Sequence, residues 1–335
     1  MRGRLFFYMM LAAMVLSLAS SPTTAADRGW LEFKTAFVLP DGRVVDTGNQ
    51  GISHSEGQGY GMLFAVFNDD AATFDAMWNW TNKNLYRADV GLFSWRYDPN
   101  ATVKIADKNT ASDGDTLIAW ALLLAGEKWH RQDYIDVSTG IQDALINQVI
   151  VTFSGRTLML PGRDGFDKNS YIILNPSYFI FPAWKMFYQR NHQQIWNKLA
   201  TDSLDLLKNM QFGSYGLPTD WVSLNESGAV EPASGWPERF SFDAVRIPLY
   251  LAWYGADAGD LAPFVKYWQA QSHDATPAWI NVINNDTASY YLNPGMSAIR
   301  DLVINKQNNL NDDISPKEDY YSASLHLLSF YAKKT

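Results

Sequence analysis

Residues 109–129 read NTASDGDTLIAWALLLAGEKW. Leu117, Ile118, Ala121, Leu122 and Ala125 recur at the spacing of one helix face, and the run is apolar enough to lie in a core. The same periodicity returns along the chain. Phe74, Met77, Trp78 and Thr81 carry it, and further helices are predicted near 59–68, 137–150, 177–190, 193–210, 242–255, 261–271, 287–304 and 320–333. Extended candidates are few. One is 148–160, where Ser154 and Gly155 separate two apolar runs as in a hairpin. Ten to twelve helices with short connections imply paired helices around one core. A fixed repeat would favour an open array, and none is visible, so a closed ring is the better reading.

Composition narrows the function. The 335 residues are 47% apolar and 19% charged, which supports a large core and excludes a disordered chain. A net charge of -8 argues against nucleic acid as a partner. With 13 Trp and 17 Tyr, much of the aromatic content is expected in the core, and the Trp excess also suits a groove that stacks sugar rings. The first residues combine Arg2 and Arg4, an apolar run from Leu5 to Leu18 and small residues ending at Ala25 and Ala26. This layout predicts a signal peptide over 1–25, a single catalytic domain over 26–335, and a secreted or periplasmic protein with no membrane insertion after cleavage. With no Cys, thiol and disulfide chemistry are excluded.

Three stretches hold acids in apolar settings. In SHSEGQGYGMLFAVFNDD (53–70), Ser53 and Glu56 match a capping box, but Gly57, Gly59 and Gly61 weaken the helix it would start. Glycines there make sense where something approaches the backbone closely. Their spacing fails the dinucleotide pattern, and no strand precedes them. In the opening stretch Asp113 serves as a helix cap with Asp115 in the first turn, yet one Asp suffices for capping. No calcium-loop spacing follows. In GWPERFSFDAVRIPLYLAW (235–253), Asp243 and Arg246 stand three apart among Phe240, Phe242, Val245, Ile247 and Leu249, with Pro248 interrupting. Such a pair is more than a solvated surface bridge. The five histidines form no zinc motif, and no nucleophile elbow occurs. Carboxylates are left to do the chemistry, as in glycoside hydrolysis.

Four ordered segments, SEGQGYGMLFAVFND, ASDGDTLIAWALLLAGEKW, NPSYF (175–179) and FDAVRIPLYLAW, resemble the glycoside hydrolase family 8 endoglucanases, over about residues 29–330. The likeness is greatest to cellulases associated with bacterial cellulose synthesis. It implies an all-α fold, an (α/α)6 barrel of paired helices with a few short strands. It also implies inverting hydrolysis of β-1,4-glucan, no metal and no cofactor, and a functional association with a cellulose synthase. Glu56 falls on the family's general acid and Asp243 on its general base. Asp113 falls on the carboxylate that grips and distorts the sugar, and Arg246 on a partner of the base. Trp95 falls on an aromatic that stacks sugar, and Asp115, Tyr178 and Phe242 join the substrate-binding set. Phe242 stands where other members often have Tyr, so a hydroxyl beside the base is missing. Xylan or mixed-linkage glucan is the alternative substrate, and a glucan binder without catalysis the alternative class.

Such a mechanism needs Glu56 protonated, through burial against Met62 and aromatic side chains, with the glycines letting glucan pass close by. Inversion further needs the carboxyl groups of Glu56 and Asp243 roughly 6.5–9.5 Å apart.

Overall fold

The computed structural model describes residues 27–305 and 309–334. The segment read as a signal peptide lies outside the described residues. Eleven α-helices are present among them: α1 (Arg28–Phe37), α2 (Ser55–Phe67), α3 (Ala71–Asn84), α4 (Ser112–Trp129), α5 (Gln132–Gln148), α6 (Phe181–Asn191), α7 (Gln194–Leu207), α8 (Arg246–Tyr254), α9 (Ala258–Gln269), α10 (Pro294–Val303) and α11 (Tyr320–Lys334). Helix α2 packs on α4, α4 on α6, α6 on α8, and α8 on α10 and α11; α11 returns to α2. Helices α3, α5, α7 and α9 each back onto the helix before them, and α1 packs against α11 and α2. The helices therefore close a ring rather than running on as an array.

Helices α2 and α4 are buried nearly all round, which explains their apolar sequences. Part of the tryptophan excess is core, since Trp30, Trp184, Trp196 and Trp268 are fully buried. Among the described residues no helix is long and apolar enough to cross a membrane.

The predicted hairpin forms, with Ile150–Phe153 paired to Arg156–Met159. Its two linking residues, Ser154 (φ 48°) and Gly155 (φ 76°), take the left-handed backbone that a tight two-residue hairpin requires. A three-stranded antiparallel sheet, Tyr171–Leu174, Val222–Asn225 and Val230–Pro232, was not evident from the sequence. Its strands are three or four residues long, too short to show a period. Pro248 does not interrupt α8. It is the third residue of that helix, where the backbone N–H has no partner to lose.

Candidate active site

Four inner helices begin at one mouth of the ring, and each brings a polar side chain there. Glu56 is the second residue of α2 and Asp113 the second residue of α4. Ser177 and Tyr178 lie in the single turn just before α6, and Arg246 opens α8 with Asp243 in the turn before it.

The glycines explain how α2 and α4 meet. A Cβ on Gly59 would lie 2.5 Å from the Cβ of Leu117, one on Gly61 would lie 2.8 Å from Met77 Sδ, and one on Gly57 would lie 2.6 Å from Tyr320 Oη. On α4, a Cβ on Gly114 would strike Ser55 Oγ and stand 2.7 Å from the Glu56 amide nitrogen. What approaches these backbones is the protein's own packing, not a sugar chain. The close crossing sets Glu56 beside Asp113.

The capping readings are corrected in the same way. His54, not Ser53, is the N-cap of α2, with no side-chain cap bond. Ser53 pairs with Tyr97 and accepts a hydrogen bond from Arg43 Nη1 (3.1 Å). The Ser55 amide donates to the Trp95 carbonyl (3.0 Å), which fixes where α2 starts. Ala111 is the N-cap of α4, and Asp113 lies inside the first turn, accepting from the Gly114 amide (2.7 Å).

Arg246 sits at the centre, and its side chain is 4% exposed. Nη1 donates to Glu56 Oε2 and to Tyr60 Oη (3.2 Å), and lies 3.7 Å from Asp113 Oδ2. Nη2 donates to Asp243 Oδ1 (2.7 Å) and Ser177 Oγ (3.1 Å). One guanidinium thus bridges the two carboxylates singled out as acid and base. Burial works against its charge, but Glu56, Tyr60, Asp243 and Asp113 together hold it protonated, well above the usual arginine range. The acids differ in access. The side chains of Asp243 and Glu56 are 32% and 19% exposed, and that of Asp113 is 4%.

Three carboxylates around one cation cannot all be charged cheaply. Burial, then the neighbouring charge of Glu56, pushes the Asp113 carboxyl well above the ordinary range. Asp113 is also hydrogen-bonded to Glu56, which pushes the Asp113 carboxyl further in the same direction. The expected setting of Glu56 is corrected here. Met62 is buried in the core, and the neighbours of Glu56 are Arg246 and Asp113, so its environment is ionic rather than apolar.

The remaining sequence candidates separate. Trp95 is half-buried, stacks parallel to His54 (6.4 Å, 4°), and donates from Nε1 to Asp107 Oδ2 (2.8 Å). Its carbonyl holds the start of α2, so it stands next to Glu56. Tyr178 lies under the Arg246 guanidinium (5.9 Å), and burial followed by the charges of Asp113 and Asp243 keeps its phenol neutral. Phe242 is exposed beside Asp243, edge-on to Tyr321, whose hydroxyl donates to the Phe242 carbonyl. A phenol therefore stands by the base turn from α11. Asp115 is not brought to the cluster. It is fully buried and accepts from the Phe93 amide (2.9 Å), anchoring the strand before α4.

Sequence reasoning missed Tyr60, Ser177, Tyr321 and Asp220. Ser177 was within reach, inside the quoted NPSYF. Tyr60 was also in view, four residues after Glu56 in the quoted 53–70 stretch, whereas Tyr321 and Asp220 lie outside every stretch singled out for its acids.

Comparison with known proteins gives the family. Residues 5–335 fit the family model described as glycosyl hydrolases family 8. The chain belongs to that family. It is 47% identical to an endoglucanase of Cellulomonas uda over 283 residues, covering 84% of this chain and 79% of the relative. A family 8 endoglucanase structure from Klebsiella pneumoniae superposes with a TM-score of 0.90 at 48% identity, covering 92% and 99% of the two chains. The endo-β-1,4-glucanase structure from Acetobacter xylinum gives a TM-score of 0.86 at 37% identity, covering 92% and 98%. The fold is the (α/α)6 barrel of this family, and the protein is a glycoside hydrolase.

Proposed function

We propose that this family 8 enzyme cleaves internal β-1,4 linkages of glucan with inversion, using Glu56 as acid and Asp243 as base. The observation that carries the reading is the Arg246 bridge, which holds two partly exposed carboxylates on separate nitrogens of one cation. A glucan crossing the mouth meets Glu56 on one side of the bond and Asp243 on the other. Asp243 draws the proton from a water that attacks the anomeric carbon. Glu56 delivers a proton to the leaving oxygen. The proton comes from the Glu56–Asp113 pair. With Asp113 accepting ring hydroxyls, its proton moves to Glu56, and the buried Arg246 holds Asp243 oriented. Trp95 stacks a sugar next to Glu56.

The Acetobacter relative is an endo-β-1,4-glucanase, which supports glucan over xylan. Reducing-sugar release and viscosity loss on soluble cellulose, lichenan and xylan test the choice. Fast viscosity loss on cellulose is the expected result, and preference for xylan would overturn it. Export, and work beside a cellulose synthase, remain parts of this proposal that rest on the N-terminal layout and the resemblance. Unchanged cellulose yield and fibre form after gene deletion would remove the second.

A further inference from the structure

The turn that carries Asp243 is not part of a helix, so something must hold it. The carboxylate of Asp220 does this from 23 positions upstream. Oδ1 accepts the amides of Ser241 (3.1 Å) and Ala244 (2.8 Å), and Oδ2 accepts the Ser241 hydroxyl. These donors flank Asp243 on both sides. Asp220 is itself anchored, since its amide donates to the Arg239 carbonyl (2.9 Å) and its neighbour Trp221 is stacked on Trp236 (5.0 Å) and Phe166 (5.8 Å).

We propose that Asp220 is a positioning residue for the base: its ionised carboxylate clasps the 241–244 turn and so aims Asp243 at the attacking water. The inference rests on the reading of Asp243 as base. An ionised carboxylate accepts all three donors, whereas a protonated one gives up an acceptor position and loosens the clasp. The titratable groups that face it are Asp243 on the clasped turn and Tyr321 on α11. Burial, then the charge of Asp243, pushes the Asp220 carboxyl up to about 6. Activity therefore rises with pH as Asp220 ionises through that range.

The test is steady-state kinetics of full-length D220N, D220A, S241A and D243N on soluble cellulose across pH, with melting curves. D220A should lose about 100-fold in kcat with KM within about threefold, the scale of a misplaced catalytic group. D220N keeps one acceptor and should lose only about tenfold in kcat, and its profile should lack the rise near pH 6. If D243N is inactive while both Asp220 variants keep wild-type kcat, or if D220N keeps the wild-type pH rise, the inference is overturned. If D243N is active, the base assignment itself falls. Should neither Asp220 variant fold, S241A decides: about threefold loss of kcat supports the clasp, and unchanged kcat overturns it.

Discussion

The two carboxylates proposed as acid and base are held in opposite ways. Glu56 stands on a helix start locked by backbone contact, where α2 and α4 cross at Ser55 and Gly114 with no room for a side chain. Asp243 stands on a turn outside any helix, more exposed, and tied by the side chains of Arg246 and Asp220. Packing fixes one carboxylate and hydrogen bonds fix the other. Changes at the first should therefore act through the fold, and changes at the second through charge and orientation.

The largest effect is common to both carboxylates. E56Q and D243N should each lower kcat by about 10³-fold while substrate binding survives, the scale of removing a general acid or base. Retention of near-normal turnover on carboxymethylcellulose by either variant would remove that residue from the chemistry. Next comes the crossing. G114A should destabilise the protein by about 1–3 kcal/mol, because a methyl group has no space between the helices. G140A is the control: no atom lies within 4 Å of its Cβ position on α5, so it should be neutral or stabilising by up to about 1 kcal/mol. Equal melting temperatures for the two variants would show that the crossing is loose.

W95A should raise KM about tenfold, since a stacked sugar ring contributes roughly 1–2 kcal/mol. An unchanged KM would place the sugar elsewhere. The smallest effect concerns the Asp113 proton. Because the folded protein raises the Asp113 pKa, the stability this group contributes is present at acidic pH and is lost as pH rises. D113N needs no proton there. It should melt about 2–4 °C above wild type near pH 8, the shift that roughly 1 kcal/mol gives, with the gap closing toward pH 4. A gap that widens toward acid would reverse the sign and place the proton elsewhere.

Much of the rigid half was legible in the sequence. Glu56, Asp113 and Arg246 are polar residues set in apolar runs, and such a residue in a buried helix needs a reason. The close-packed glycines were also visible, although their reason was misread: they admit Leu117, Met77 and Tyr320, not glucan. The capping box at Ser53 failed because a tertiary bond from Ser55 to the Trp95 carbonyl decides where α2 begins. Asp115 shows the limit of a motif, since two acids two positions apart meet different partners, Asp113 the Arg246 guanidinium and Asp115 the Phe93 amide. In the tethered half Asp243 was legible, but the groups that hold its turn were hidden. Asp220 and Tyr321 reach the turn around Asp243, and Ser177 reaches Arg246, only after the ring closes, and no local pattern announces contacts made across 21, 24, 69 or 79 positions.

The most direct measurement is the configuration of the first-formed product, followed by proton NMR during early hydrolysis of a cello-oligosaccharide by the wild-type enzyme. Water delivered by Asp243 opposite the proton from Glu56 gives the α-anomer first, with the β-anomer growing in only by mutarotation. A β-anomer at the earliest time points would mean that a carboxylate attacks the sugar directly, and the roles assigned to both acids would be wrong.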